Sequence, residues 1–145
     1  MFTRAGSVTV SASGSLRVGI DLVQVSRIAE SLHRFGERFL ERVFTPGEIA
    51  YAQSAPAQTA ERLAARFAAK EAAMKALGLA DEGFQWRDIE VCRAPSGECK
   101  MVLRGAASRA ARQNGVRQVA VSLSHEGDYA AAIVVTSLGG RASND

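Results

Sequence analysis

Long apolar runs are absent from this sequence, and cysteines are few. No stretch approaches the roughly 18 to 20 consecutive apolar residues that cross a bilayer, so we expect a soluble protein without a membrane span. The two cysteines, Cys92 and Cys99, lie on either side of Pro95-Ser96-Gly97 and lack the spacing of a zinc site. They are too few for a secreted disulfide framework. We expect two reduced thiols, which could face each other across a hairpin.

Charge of one sign is also lacking. Eighteen Lys and Arg stand against 15 Asp and Glu, for a net charge of +3. Aromatic residues make up only 6% of the chain, and no nucleic-acid recognition motif is present. This near balance argues against a general affinity for nucleic acid, although a nucleic-acid-binding domain based on local arginines stays a weak alternative.

The 145 residues, 47% of them hydrophobic, suit a single globular domain. We place this domain at 17–137, between a disordered N-terminal extension at 1–16 and a flexible tail at 138–145. The N-terminal segment is rich in Ser and contains no acidic residue, a composition also found in organelle transit segments. A frayed extension ahead of the first strand is the favoured interpretation.

The first half of the chain predicts one strand and then helices. An apolar strand is expected at 16–23, followed by a helix that Ser26 caps. Thr45-Pro46-Gly47-Glu48 carries a helix-start signal in which Thr caps and Glu answers the amide of the cap. The longest helical run extends from about 58 to 77 and ends at Gly78.

The second half predicts strands. Alternating residues at 87–93 and 100–103 indicate a β-hairpin, a short helix follows at 106–113, and two more strands are expected at 119–124 and 129–136. The resulting fold class is α+β, with an antiparallel sheet packed against a long central helix and shorter helices.

Three residues suggest a metal site. Asp21 stands near the end of the first strand, and Glu71 and Lys75 stand one turn apart on a helix face otherwise made of small and apolar side chains. Mg²⁺ typically takes one or two protein carboxylates plus phosphate oxygens and water, and a nearby Lys suits a phosphate. Alternatively, Glu71 and Lys75 form a surface ion pair and Asp21 is a turn residue.

Four blocks of sequence carry a resemblance to a known family. Val18-Gly19-Ile20-Asp21-Leu22, the run from Arg66 to Gly78, Asp88-Ile89-Glu90-Val91 and Ser122-Leu123-Ser124-His125 resemble the holo-[acyl-carrier-protein] synthases. These are small, single-domain 4′-phosphopantetheinyl transferases. The order and spacing of the blocks match over 18–136.

The resemblance implies transfer of the 4′-phosphopantetheine arm of coenzyme A to a serine of apo acyl carrier protein. Adenosine 3′,5′-bisphosphate is released, and the reaction serves fatty-acid or polyketide synthesis in the cytoplasm. By the same resemblance, Asp21 and Glu71 hold Mg²⁺ or Mn²⁺, and Glu71 is the candidate general base. Lys75 would contact the pyrophosphate and stabilise or protonate the leaving phosphate.

Further positions follow from the resemblance. Arg66, His125 and Lys70 match residues that bind the nucleotide end of coenzyme A, and solvated helix charges are the alternative for Arg66 and Lys70. His125, which could instead be a locally bonded turn residue, would come from a neighbouring subunit, because the family is typically a homotrimer with active sites at subunit interfaces.

Positive charge on the first two helices points to the carrier. Arg27, Arg38 and Arg42 match family positions that contact the acidic acyl carrier protein, and a plain solvated face is the alternative. The chain departs from the family at Gly97-Glu98-Cys99, where Gly-x-Pro is common. A functional alternative is a non-catalytic module that binds coenzyme A or the carrier on the same scaffold.

Overall fold

The computed structural model describes residues 15–79 and 83–139. Predictions for 1–14 and for 140–145 lie outside the described residues. The elements, in chain order, are β1 (Ser15–Gln24), α1 (Val25–Phe35), α2 (Glu37–Val43), α3 (Pro46–Gln53), α4 (Thr59–Leu77), β2 (Ile89–Arg93), β3 (Cys99–Leu103), α5 (Gly105–Gln113), β4 (Val116–Glu126) and β5 (Tyr129–Leu138). Short 3₁₀ turns precede α4 and β2.

The long strands form one antiparallel sheet in the order β1-β5-β4, and β2 and β3 form a separate hairpin. This confirms the mixed architecture of an antiparallel sheet with helices. In the hairpin, Cys92 is opposite Lys100 and Cys99 is opposite Arg93. The two free thiols therefore do not face each other, contrary to one expectation, because opposed residues share a face and these two cysteines belong to different opposed pairs.

Two boundaries differ from the sequence prediction. Ser15, assigned to the extension, lies in β1, and Leu138, assigned to the tail, ends β5. Leu16 also lies in β1, in agreement with the strand predicted at 16–23 and not with a domain that begins at 17. Ser26 is not the cap of α1: it lies inside the first turn, and its hydroxyl donates to the Asp128 carboxylate at 2.6 Å. Asp128, in the β4–β5 turn, also accepts from the Ser26 amide at 3.0 Å and so serves the N-terminus of α1.

Helix α4 is the centre of the core. It packs against β1 and β5 on one side and against α1 and α3 on others. Gly78 ends it with φ of +68°, a left-handed geometry that glycine adopts without steric cost. No helix in the described ranges is long and apolar enough to cross a membrane. The residues of α4 that are buried are mostly alanines: Leu63, Ala64, Ala65, Arg66, Ala68, Ala69, Lys70, Ala72, Ala73, Ala76 and Leu77.

The alanines allow β1 to lie directly on α4. At Gly19, a Cβ atom would be 2.0 Å from the Ala72 carbonyl oxygen, so no side chain fits without moving the strand. Side chains alternate along a strand, and Asp21 therefore points to the same side as Gly19. The close backbone contact brings the Asp21 carboxylate to the surface of α4.

The opposite side of β1 is apolar and uncovered in the single chain. Leu16, Val18, Ile20 and Leu22 are each between 62% and 72% exposed, and Ile133 of β5, opposite Ile20, is 40% exposed. A contiguous apolar sheet face of this kind is typical of a protein interface.

Candidate active site

Strand β1 and helix α4 bring together the three residues of the predicted metal site, Asp21, Glu71 and Lys75. The Lys75 ammonium donates to the Ile20 carbonyl at 2.9 Å, and its nitrogen lies 3.6 Å from Asp21 Oδ1. Lys75 thus reaches across to the strand, and its ion pair is with Asp21 instead of with Glu71, the alternative that the sequence left open. The Asp21 side chain is 22% exposed and Lys75 is 56% exposed, so the site is open to solvent on one side.

The carboxylates of this site repel each other. Burial raises the pKa of Glu71 above its ordinary value, and the neighbouring Asp21 charge raises it further, while Lys75 opposes the shift. Placing a second acid beside a half-buried one is unfavourable unless a cation offsets the charge. Lys75 supplies one positive charge against two negative charges.

The donor set fits a divalent oxygen-seeking cation. Within the described ranges no three His, Cys, Asp or Glu side chains cluster as metal ligands, so the protein donors at this point are the two carboxylates. Mg²⁺ commonly binds through one or two carboxylates and completes its shell with phosphate oxygens and water. Asp21 and Glu71 are the residues that would hold such an ion.

A pH-dependent stability measurement tests this electrostatic arrangement. A carboxyl whose pKa is raised by folding weakens the folded state as pH rises through the interval between its unfolded and folded pKa values. We expect Glu71→Gln to raise the melting temperature at pH 7.5. We expect no change at pH 3.5, where the protonated Glu71 side chain of the wild type is neutral, as Gln is. Thermal unfolding followed by circular dichroism measures the difference.

The same variant tests cation binding without an activity assay. Mg²⁺ should raise the melting temperature of the wild-type chain and have little effect on Glu71→Gln, because only the former retains both carboxylates. Glu30→Gln, an exposed carboxylate of α1, is the matched control and should behave like wild type. An equal response of Glu71→Gln and wild type to Mg²⁺ would contradict the assignment.

A groove of about 790 Å³ lies on another side of α4, bordered by α3, β3 and β4. Arg66 and His125, predicted to bind a nucleotide, both line it. The His125 Nε2 atom is 3.2 Å from Glu61 Oε1, and His125 is 57% exposed. The remaining basic side chains of the groove are Arg62, Arg93 and Lys100.

Arg66 is the buried cation of this groove. It is 3% exposed, its guanidinium lies 4.1 Å from the centre of the Tyr51 ring, and Nη1 donates to the Arg62 carbonyl at 3.3 Å. Its Nε–H has no partner among the described residues. Burial lowers the pKa of Arg66, and the surrounding Tyr51 and Glu48 partly restore it. A buried guanidinium with an unused donor is well suited to receive an anion.

Lys70 does not belong to this groove, and its prediction as a nucleotide ligand is wrong. The side chain is fully buried and lies 2.8 Å from Glu48 Oε1. The ammonium also donates to the Trp86 carbonyl at 3.1 Å and to the Ile89 carbonyl. All three donors are therefore occupied inside the protein.

Both carboxylate oxygens of Glu48 are also occupied by partners inside the protein. It accepts from the Thr45 amide and from the Val91 amide, each at 3.0 Å, and completes the predicted capping box of α3. The Glu48–Lys70 pair thus joins α3, α4 and the start of β2.

The acidic site and the groove lie on different faces of α4. Residues five positions apart on a helix are separated by about 140° around its axis and about 7.5 Å along it. Arg66 and Glu71 have this spacing, and the lining of the groove contains neither Asp21 nor Glu71 nor Lys75.

The three carrier-binding candidates are all exposed. Arg27 lies in the first turns of α1, and Arg38 and Arg42 lie on α2. None of them takes part in an ion pair with the residues that the structure describes.

Sequence reasoning missed much of the groove. Tyr51 and Arg93 are 42 residues apart, and Arg93 Nη1 donates to the Tyr51 hydroxyl at 3.0 Å. Neither belongs to a local pattern that would have signalled a site. The one available signal was Arg62, four residues before Arg66 and therefore on the same helix face.

The fold agrees with comparisons to known proteins. The 4′-phosphopantetheinyl transferase superfamily matches residues 17–134 of this sequence. The chain belongs to this superfamily, which confirms the resemblance carried by the four sequence blocks.

Within the superfamily, the similar proteins are holo-[acyl-carrier-protein] synthases. The protein of that name from Koribacter versatilis is 52% identical over 121 residues, covering 83% of this chain and 96% of the relative. The Solibacter usitatus protein is 44% identical over 118 residues, covering 81% of this chain and 94% of the relative.

Solved structures agree. The Chronobacterium ammoniagenes ACPS–CoA complex has a TM-score of 0.75 and 35% identity and covers 86% of this chain and 98% of that one. The Helicobacter pylori holo-[acyl-carrier-protein] synthase in complex with coenzyme A has a TM-score of 0.71 and 29% identity, covering 82% and 98%.

Proposed function

We propose that this chain transfers the 4′-phosphopantetheine arm of coenzyme A to a serine of apo acyl carrier protein. The products are holo acyl carrier protein and adenosine 3′,5′-bisphosphate. The observation that carries the proposal is the convergence of Asp21, Glu71 and Lys75 where β1 lies on α4, in a chain whose relatives are holo-[acyl-carrier-protein] synthases.

The two carboxylates would hold Mg²⁺ or Mn²⁺. When bound, the ion would supply charge neutralisation at the pyrophosphate of coenzyme A. Glu71 acts as the general base for the carrier serine. The ion pair with Lys75 orients the Asp21 side chain.

Lys75 serves the leaving group. Its ammonium has three donors, of which one goes to the Ile20 carbonyl and another faces Asp21. The remaining donor and the 56% exposed side chain are available for the departing phosphate. Neutralising charge on that phosphate lowers the barrier to breaking the P–O bond.

The nucleotide end of coenzyme A binds in the groove of Arg66 and His125. Because the groove and the acidic site are on different faces of one α4, we propose that coenzyme A bridges two chains of a homotrimer. The bare apolar face of β1, with Leu16, Val18 and Ile20 all more than 60% exposed, supports burial against another copy. His125 then serves an active site whose acids belong to a neighbour.

The alternative, a module that binds coenzyme A or the carrier without catalysis, is not favoured. Two carboxylates that repel each other are unfavourable unless a further cation besides Lys75 binds between them. A module that only binds coenzyme A or the carrier does not require such a cation. We place the reaction in fatty-acid or polyketide synthesis in the cytoplasm.

The direct test mixes the purified chain, coenzyme A, Mg²⁺ and an apo carrier and weighs the carrier by mass spectrometry. We expect the mass of one phosphopantetheine arm to be added, and EDTA to prevent the addition. If several apo carriers from fatty-acid and polyketide systems all stay unmodified while coenzyme A still binds, the binding-module alternative is correct.

The basic surface of α1 and α2 gives a separate prediction. Arg38→Glu should raise the KM for the carrier by about 5- to 30-fold, because a charge complementary to an acidic partner becomes repulsive. Coenzyme A affinity should be unchanged. Steady-state kinetics with the carrier and with coenzyme A varied in turn measures both quantities.

Arg109→Glu is the matched control for this prediction. Arg109 is exposed on α5 and carries the same charge, so its reversal should leave both KM values near wild type. The Arg38→Glu effect should shrink in high salt, where exposed charges are screened. Weakened coenzyme A binding in Arg38→Glu would show that this surface serves another ligand.

A further inference from the structure

Three guanidinium groups gather around one tyrosine ring in the groove. The Arg62 and Arg66 groups lie 4.2 Å and 4.1 Å from the centre of the Tyr51 ring. Arg93 lies 6.0 Å from the centre of the same ring and donates to its hydroxyl at 3.0 Å. All four side chains line the groove.

None of the three guanidinium groups forms an ion pair in the described part of the chain, although Glu48 acts on Arg66 through space and Glu61 and Glu98 also line the groove. Arg62 Nη1 donates to the Tyr51 carbonyl at 2.8 Å and to the Ser54 hydroxyl at 3.0 Å, and Arg66 donates to the Arg62 carbonyl. All of these acceptors are neutral. The ion pairs of the described residues involve none of the three arginines.

Such a cluster is unfavourable in the empty protein. Like charges repel at short range, and the repulsion grows where water is excluded, as it is around the 3% exposed Arg66. The electron-rich face of Tyr51 offsets part of this cost for the stacked guanidiniums. An arriving anion would offset the rest, and the unpartnered Arg66 Nε–H marks a donor that the protein itself leaves unused.

We propose that Tyr51 is a positioning residue for coenzyme A. It holds Arg62, Arg66 and Arg93 together as one binding site for the 3′-phosphate, a monoester, at the nucleotide end of coenzyme A. A monoester carries close to two negative charges at neutral pH and three acceptor oxygens, which matches several converging guanidiniums better than a phosphodiester would. The proposal rests on the proposed function and specifies the residue that organises its nucleotide site.

The test compares two replacements of Tyr51. Tyr51→Leu removes both the ring and the hydroxyl, whereas Tyr51→Phe keeps the ring on which Arg62 and Arg66 stack. We expect Tyr51→Leu to weaken the binding of adenosine 3′,5′-bisphosphate by about 10-fold, and Tyr51→Phe by about 2- to 3-fold. Binding of adenosine 5′-monophosphate, which lacks the 3′-phosphate, should be nearly unchanged in both. Isothermal titration calorimetry measures all of these constants.

Kinetics supply a readout that a purely structural role would not move. Tyr51→Leu should raise the KM for coenzyme A, lower the preference for coenzyme A over dephospho-coenzyme A by about 10-fold, and leave kcat near wild type. Phe35→Leu, which also replaces an aromatic ring by Leu but at an exposed position of α1 outside the lining of the groove, is the matched control and should keep the wild-type constants. Thermal unfolding checks that each variant is folded.

The possible failures are distinguishable. If Tyr51→Leu binds adenosine 3′,5′-bisphosphate as tightly as wild type, or if both nucleotides weaken equally, the role of Tyr51 is wrong and the proposed function is untouched. If wild type binds the bisphosphate and Tyr51→Leu weakens it selectively, yet no carrier is modified, the role of Tyr51 holds and the proposed transfer is wrong.

Discussion

Asp21→Ala should reduce the rate of phosphopantetheine transfer by about 10³-fold or more, and Glu71→Ala should have a comparable effect. Each removes one of the two carboxylates that would hold the divalent cation, and loss of several kcal/mol of transition-state stabilisation gives a rate change of this order. The loss should appear in kcat and persist at saturating coenzyme A and carrier. Rates are measured by mass spectrometry of the carrier.

The fold should survive both changes. Asp21 and Glu71 are partly exposed and repel each other, so neither contributes a contact on which folding depends. Circular dichroism and size-exclusion chromatography should match wild type. Glu30→Ala, which removes an exposed carboxylate from α1, should retain the wild-type rate. Near-normal transfer by a folded Asp21→Ala would contradict the metal assignment.

The second large effect is expected on stability. Lys70→Met leaves Glu48 charged and buried without its counter-ion, and Glu48→Gln does the same to Lys70. Breaking a buried ion pair by removing one partner typically costs about 3 to 5 kcal/mol. The double variant removes both charges and should be more stable than the sum of the two losses predicts. Urea unfolding gives the free energies for this double-mutant cycle.

A less buried pair provides the comparison. Arg104 is 54% exposed and lies 2.8 Å from Glu90, which is 12% exposed, and Arg104→Met should cost less than Lys70→Met because this pair keeps access to water. If the free energy of unfolding lost in the double variant equals the sum of the losses in Lys70→Met and Glu48→Gln, the two side chains are not energetically coupled and this prediction is wrong.

The acidic site could be predicted from sequence because each part of it follows a local rule. Asp21 interrupts an apolar strand near its end, and Glu71 and Lys75 share a helix face by their spacing of four. Gly19 explains why the strand meets the helix at this point, and only the structure shows it, since the cause is contact with the Ala72 carbonyl.

Lys70 shows where sequence reasoning fails. The family resemblance predicts that Lys70 and Arg66 contact one ligand, and their spacing of four agrees with this because it places both on one helix face. Spacing does not say which element covers that side. In the structure, Glu48 of α3 covers Lys70, while Arg66, one turn earlier, remains at the groove beside Tyr51.

The misassigned cap of α1 has a similar cause. Ser26 is a good N-cap by residue type, but the strand runs on to Gln24 and the helix begins at once. Asp128, 102 residues further along the chain, provides the carboxylate instead. A partner at that distance leaves no local signature.

Strand β1 places two requirements on a single stretch of backbone. Its even-numbered residues, such as Ile20, form the apolar face, and its odd-numbered residues, such as Gly19 and Asp21, lie against α4. Inserting or deleting one residue before Asp21 would exchange the two faces, because side chains alternate with a period of two. We therefore expect this strand to tolerate the replacement of one apolar side chain by another on its apolar face. We expect it not to tolerate insertions or deletions.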